Sequence, residues 1–344
     1  MSNGRRLVWV AIAFATSLSA VRTTTIAADE PSAAASPSAA ASAPLSETPP
    51  PARYALAFKF QPGQIVRFEV SKESEITTHV KSETETAKNS SREKKHFHVV
   101  AVDEKTGDAD LELSIDWVHM LASFINPARV KSDPIEFQSD DPEKHPRQFV
   151  DVLSTIGKPR ATIRFSPAGK VVKVLAGAPV PPAAANQLAD GPAAPPVDDG
   201  SPESFFVPLP DQPVAVGESW KIRFDVVLRD DTKNLFKITI MRIYRLLRVE
   251  EGRAFIEFQT AILTPVPNQN IAGQLIQREL SGKVLFDIDR GLIVSRESGV
   301  DNTVVGPFGP GSSMHARTRY REQLLEDEPA AERPASDETT TADE

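Results

Sequence analysis

Histidine is the residue type in this chain best suited to chemistry near neutral pH. Six are present, and His79, His96 and His98 fall close together. In "KKHFHVV" the side chains of His96 and His98 share a strand parity, so both imidazoles could reach one metal ion, with Asp103 or Glu104 as oxygen ligands. The flanking Lys94 and Lys95, and the apolar residues that follow on the opposite parity, instead describe a wetted sheet face, and no metal site is assigned. His119, His145 and His315 stand in unrelated segments. For hydrolysis, a serine needs a base and a sharp strand-to-helix turn. Neither "GSSMH" (Gly311 to His315) nor "GESW" (Gly217 to Trp220) has that setting. "GPFGPGSS" lacks the lysine of a phosphate loop. With no cysteine in the sequence, thiol chemistry and iron–sulfur clusters are excluded. Aspartates at 103, 108, 110, 116, 287 and 289 leave room for a carboxylate pair, but turns and wet strand faces use aspartate freely. No catalytic residue and no cofactor is therefore assigned. An extracytoplasmic hydrolase with a carboxylate or metal-assisted site stands as the alternative reading.

Aromatic side chains offer a different chemistry. Phe58, Phe60 and Phe68, then Phe205 and Phe206, then Trp220 and Phe224 form three groups that could line a hydrophobic groove. The leading expectation is an exported, noncatalytic envelope or secreted protein that binds a hydrophobic small molecule or an envelope protein through such a groove.

These groups sit on segments with a strand period. Leu111, Leu113, Ile115 and Trp117 share one parity, against Asp110, Glu112, Ser114 and Asp116 on the other, which predicts a sheet with one packed and one wet face. Ala254, Ile256, Phe258, Thr260 and Ile262 repeat the plan. In "LPDQPVAVGESWKIRFDVV" the prolines forbid a central strand, Gly217 closes the turn, and Trp220, Ile222, Phe224 and Val226 begin an alternating strand. Phe149, Val152, Leu153 and Ile156 recur at helical spacing, so 146–156 reads as a short helix stopped by Gly157. "NQNIAGQLIQREL" reads as a second.

Three phrases also recur in order. "QIVRFEV" echoes "WKIRFDV", "FHVVAVDEKTGDADLELSIDWVHM" echoes "YRLLRVEEGRAFIEFQTAIL", and "KPRATIRFSPAGKVVKVL" echoes "LSGKVLFDIDRGLIVSRE". The expected fold is therefore mainly β with few short helices, in two related lobes of curved antiparallel sheet, 53–175 and 214–324, joined by a Pro/Ala/Gly-rich connection over 176–213.

The ends differ in kind. Arg5 and Arg6 precede the apolar run Leu7 to Ala20, which is shorter than the roughly 20 residues of a membrane span. This reads as a signal peptide over 1–28, and no integral membrane domain is expected after its cleavage. An Ala/Pro/Ser-rich stretch over 29–52 and an acidic tail over 325–344 read as disordered. The 344-residue chain has 39 Lys and Arg against 47 Asp and Glu, a net charge of −8. A weakly acidic body repels polyanions, so nucleic acid is not an expected partner.

"FKFQPGQIVRFEV", "FQSDDPE", "IGKPRATIRFSPAGKVVKV", "LPDQPVAVGESW" and "GKVLFDIDRGLIVS" together resemble an exported, planctomycete-type bacterial family of duplicated β-meander proteins. The resemblance spans most of 58–295 and implies a fold and export, with no activity and no site residues to carry over. A more distant likeness is to periplasmic lipoprotein carriers, whose curved sheet holds an acyl chain, and it implies fold alone.

Overall fold

The structure, a computed structural model, describes residues 51–125, 134–146, 149–176 and 206–326. The segment expected to be a signal, most of the expected tether, the acidic tail from residue 327 and most of the connection, with Phe205, lie outside the described residues. A two-stranded ribbon pairs β1 (Arg53–Tyr54) with β8 (Val214–Ala215). Every other strand joins one antiparallel sheet of twelve.

The first half of that sheet is a meander of β2 (Ile65–Val80), β3 (Glu83–Val102), β4 (Ala109–Ile125), β6 (Pro159–Phe165) and β7 (Val171–Ala176), with β5 (Ile135–Gln138) beside the far end of β4. The second half runs β9 (Ser219–Arg229), β10 (Leu235–Glu250), β11 (Arg253–Ile262), β12 (Ser281–Asp287), β13 (Leu292–Val305) and β14 (Ser312–Leu324). Each echoed phrase that reads as a hairpin from sequence is one: β3–β4, β6–β7, β10–β11 and β12–β13.

The expected pair of curved lobes is not what forms. The last strand, β14, returns to pair with β2 over its whole length, from Ser312 opposite Val80 to Leu324 opposite Phe68. This seam makes one open sheet, neither curled nor closed, with β7 and β9 at its ends and no further strand beside either among the described residues. The physical reason is that β2 and β14 lie far apart in sequence, so their pairing leaves no local pattern. Mainly β with few helices is correct.

Alternation places the core as the sequence suggests, with one exception. Val66, Phe68 and Val70 of β2 and Phe97 and Val99 of β3 are buried, as are Ala254, Ile256 and Phe258 of β11. In β4, however, the buried parity changes partway. Leu111, Leu113 and Ile115 are buried, then Val118 and Met120. A bulge allows this: Lys94 pairs with Trp117 while the next residue, Lys95, pairs with Ile115, so Asp116 is the extra residue. Trp117 is thereby turned off the packed face, and its Nε1 donates to Asp140 Oδ1 at 2.8 Å.

Three covers close the inner face. A strap from the chain either side of the ribbon, Leu56 and Phe58 with Phe206, Val207 and Leu209, is buried against one end of the strands. Its backbone is fastened at Phe58 N to Pro167 O, Lys59 N to Gly291 O and Leu209 N to Ala168 O. Gly217, at φ 90°, makes the turn from strap to β9, and its N–H reaches Leu246 O at 2.7 Å. Helix α2 (Gln269–Leu275) buries Ile271 and Leu275 against β9 and β10, and its N-cap Asn268 accepts from Ile271 N. The helix expected over 146–156 is shorter than its pattern. Only α1 (Val150–Leu153) is regular, followed by turns to Gly157, while Phe149 packs with Phe137 against β4.

Candidate functional site

The aromatic residues proposed for a groove are mostly brought together, but against one another. Phe58 stacks on Phe60 with ring centres 5.7 Å apart and meets Phe206 at 4.9 Å and Phe286 at 5.5 Å. Phe206 also touches Phe97 and Phe165. Phe68 meets Phe97 edge to face. Trp220 is half-buried at the start of β9, stacked on Tyr244 at 5.4 Å, with its Nε1 donating to Pro208 O of the strap. Phe224 is set apart, packed with Val226, Ile240 and α2 in a separate cluster. Phe58, Phe68 and Phe206 are each under 5% exposed.

The histidine pair is on the wet face, as its neighbours imply. His96 Nδ1 lies 2.8 Å from Asp116, and His98 Nδ1 3.4 Å from Glu112, each carboxylate coming from β4. Among the described residues no group of three or more His, Cys, Asp or Glu side chains is placed to hold a metal. On the same outer face a cleft of about 380 Å³ opens between Glu73 and Glu75 of β2, Lys88 of β3, Leu121 of β4, and Arg317 and Arg319 of β14. Its charges alternate in sign, and Lys88 already pairs with Glu75 at 3.1 Å.

The feature that sequence reasoning missed is a charged cluster on the inner face, at the seam. Cross-strand register builds it in rows. Met120, Ser91, Lys72 and Tyr320 stand in line across β4, β3, β2 and β14. One row along stand Val118, Glu93, Val70, Glu322 and Arg296, the last from β13. Lys95 then reaches Glu322 at 2.6 Å, with the two side chains 10% and 3% exposed, and Lys72 reaches Glu93 at 3.3 Å. The Arg296 guanidinium lies over the Tyr320 ring at 4.7 Å.

Electrostatics follow from this packing. Burial by itself would push the Glu322 carboxyl up, but Lys95, Arg296 and the Tyr320 hydroxyl together hold it below the usual carboxylate range. Burial, then the Glu322 charge, pushes the Tyr320 phenol well above its usual value. Burial pulls Arg160, at the start of β6, downward, with Glu93 opposing. One signal for the cluster was present in sequence: Glu93 and Lys95 share the parity of Phe97 and Val99, and Glu322 that of Leu324. Charges on a core parity mark either a strand end or a buried pair.

Fold and cluster together define the class: an open, mainly antiparallel β-sheet protein with a strapped aromatic core and a buried ion-pair cluster. No protein-family model matches the chain. No curated protein matches it either. Among solved structures it is similar to lipovitellin, in a structure concerned with lipid–protein interactions, at 15% identity and a TM-score of 0.40. That match covers 80% of this chain and 26% of the lipovitellin chain, so this chain spans about a quarter of that protein's length. It also aligns with a β-barrel-like protein of a domain of unknown function from Brucella abortus, at 8% identity and a TM-score of 0.11, over 76% of this chain and 99% of the other. Both likenesses are distant and partial. Among the described residues no helix is long and apolar enough to cross a membrane.

Proposed function

We propose that this chain is an exported, noncatalytic protein of the envelope or secreted space that binds a protein partner by strand addition at one edge of its sheet. Export is supported by the basic start and short apolar run of residues 5–20, and by the resemblance to exported bacterial proteins. The observation that carries the partner reading is the contrast between the two sheet ends. At β9 the exposed positions are largely charged, with Lys221, Arg223, Asp225 and Arg229, a composition that discourages edge pairing. At β7 all six residues are exposed, and Val171, Val172, Val174 and Leu175 are apolar with Lys173 as the single charge. An apolar edge with one charge is a template for an extended segment, whose backbone completes the ladder while alternate side chains seat on the exposed valines. Carriage of a hydrophobic small molecule is the lesser reading, because Phe58, Phe60 and Phe206 pack on each other.

The test is a photo-crosslinker placed at Val172 or, as control, at Val227 of β9, which is also exposed, in cells that export the protein. The expected result is one protein adduct from position 172, none from 227, and loss of the adduct in Val174→Lys, whose stability should change by less than about 0.5 kcal/mol. Adducts from both positions or from neither would refute the edge. An acyl compound retained by protein purified without detergent would move the assignment to carriage.

A further inference from the structure

The turn between β13 and β14 is built to project apolar side chains. From Asn302 to Met314 the chain has no Lys, Arg, His, Asp or Glu. Gly306, Gly309 and Gly311 take positive φ and fold "VGPFGPGS" back on itself, with Gly306 N bonded to Ser312 O at 2.7 Å, Gly309 N to Gly306 O and Ser312 N to Gly309 O. Phe308 N donates to Ser312 Oγ, whose hydroxyl donates in turn to Gly309 O at 2.6 Å. Pro307 and Pro310 have no N–H to satisfy, so among the described residues only the Gly311 amide of this turn lacks a bond. Outside this self-contained backbone stand Phe308 and Val305, which at 72% is the most exposed large apolar side chain among the described residues.

Two neighbours hold the turn in place and extend its surface. Pro307 is buried on α2, so close that a Cβ on Gly273 would lie 2.8 Å from the proline Cβ, and a Cβ on Gly306 would lie 3.6 Å from Gln269 Cγ. The segment leading into α2 brings the exposed Leu263 and Val266, and 258–277 is likewise free of charged residues. On the other side Lys81 N is bonded to Gly311 O, which sets the exposed Val80 beside the turn. Large apolar side chains gathered on a projecting turn mark a contact surface, and the backbone indicates its chemistry. A protein partner can bond free amides, whereas an acyl layer offers nothing to bond, so a segment that enters it must satisfy its own polar groups. This turn meets the stricter condition at every amide but one. We propose that the β13–β14 turn is a membrane-docking tip that seats Val305 and Phe308 at the acyl boundary of a lipid bilayer. Charge selects the kind of bilayer. The chain carries a net charge of −8, and the adjoining β2–β3 turn holds Lys81 and Glu83, of opposite sign, so an anionic surface offers no attraction and a zwitterionic phospholipid surface is the one that fits. The tip lies at the end of β13 away from the strap, which is bonded at Gly291, and it does not depend on the edge-strand reading.

The experiment uses the full chain, with a local readout because Leu7 to Ala20 is an apolar run in its own right. The sequence has no cysteine, so Val305→Cys takes a single environment-sensitive fluorophore, and Val216→Cys, exposed at the strap end, takes the control label. On titration with phosphatidylcholine vesicles the label at 305 should shift to the blue and be quenched by spin-labelled acyl chains, while the label at 216 stays in water. Phe308→Ser in the Val305→Cys protein should raise the titration midpoint about fivefold or more, the worth of one apolar side chain withdrawn from water. Thermal unfolding of each variant checks the fold, and Val80→Ser, expected to raise the midpoint about twofold, decides if Phe308→Ser does not fold. Raising the salt about tenfold should leave the midpoint within about twofold. No shift at 305, an equal shift at 216, or binding that requires anionic lipid would overturn the proposal. A shift at 305 produced by an envelope protein extract and not by vesicles would overturn it too, and would give the tip to a protein.

Discussion

Lys95 and Glu322 hold each other in a place where neither would be tolerated alone. Removing one partner of a buried pair leaves an uncompensated charge and costs about 3–5 kcal/mol, whereas replacing both with apolar groups is often neutral. Lys95→Met should therefore lower stability by about 3 kcal/mol, the lower end because Arg296 and Tyr320 still support the carboxylate. Lys95→Met combined with Glu322→Leu should be closer to wild type than the single change. Denaturant unfolding of the four proteins of this cycle measures the coupling. The sign with pH is fixed by the depressed carboxyl. Its contribution is fully present above the unfolded carboxylate value of roughly 4.3 and is lost as pH falls through the lower folded value. Lys95→Met should accordingly flatten the acid limb of the stability profile, and an unchanged limb would show that Lys95 does not hold the carboxylate charged. At this scale the sequence was only half legible. His96 and His98 could be placed on a wet face from their neighbours, because parity and composition agreed there. Glu93, Lys95 and Glu322 were passed over because each finds its partner on another strand, Glu93 on β2, Lys95 on β14 and Glu322 on β3, and nothing local names such a partner.

Strands are the level at which the sequence speaks most clearly, and the level at which a single inserted residue undoes it. Trp220 and Trp117 both sit on an apolar parity when read from sequence. The structure separates them: Trp220 stacks on Tyr244 and ties β9 to Pro208, while the bulge at Asp116 turns Trp117 to the outer face. A fully packed aromatic costs about 3–5 kcal/mol on truncation to Ala. Trp220, half-buried, should lose about 2 kcal/mol, and Trp117→Ala about 1 kcal/mol or less, for its hydrogen bond to Asp140. Urea unfolding of both variants decides this, and equal losses would mean that the bulge does not set the face. Hairpins and the α2 helix could be read, since turn residues and alternation are local. The bulge could not, because no Gly or Pro marks it and the parity change appears only against β3.

Whole-molecule behaviour depends on the β2–β14 seam and on the strap, which lock together two runs that look separable in sequence. The same aromatic core takes Val66, Phe97 and Ile163 from the first run and Tyr244, Ile256 and Phe286 from the second. Strap residues Phe58 and Phe206 touch side chains of both, and the strap backbone is bonded to the β6–β7 turn at Pro167 and Ala168 and to the β12–β13 turn at Gly291. Unfolding one run would strip the strap from the other and open the seam along β14, exposing the apolar faces of both. The body should thus unfold in one cooperative transition, with calorimetric and van't Hoff enthalpies nearly equal. Phe206→Ala removes a ring that packs on Phe97 and Phe165 of the first run and on Phe58, which in turn meets Phe286 of the second, and a loss of about 3–5 kcal/mol for such a ring lowers the midpoint by roughly 10 °C in a body of this size. That single endotherm should move as a whole. If differential scanning calorimetry instead resolves two endotherms, or if Phe206→Ala splits one into two, the halves fold independently and the strap is an accessory rather than the tie between them.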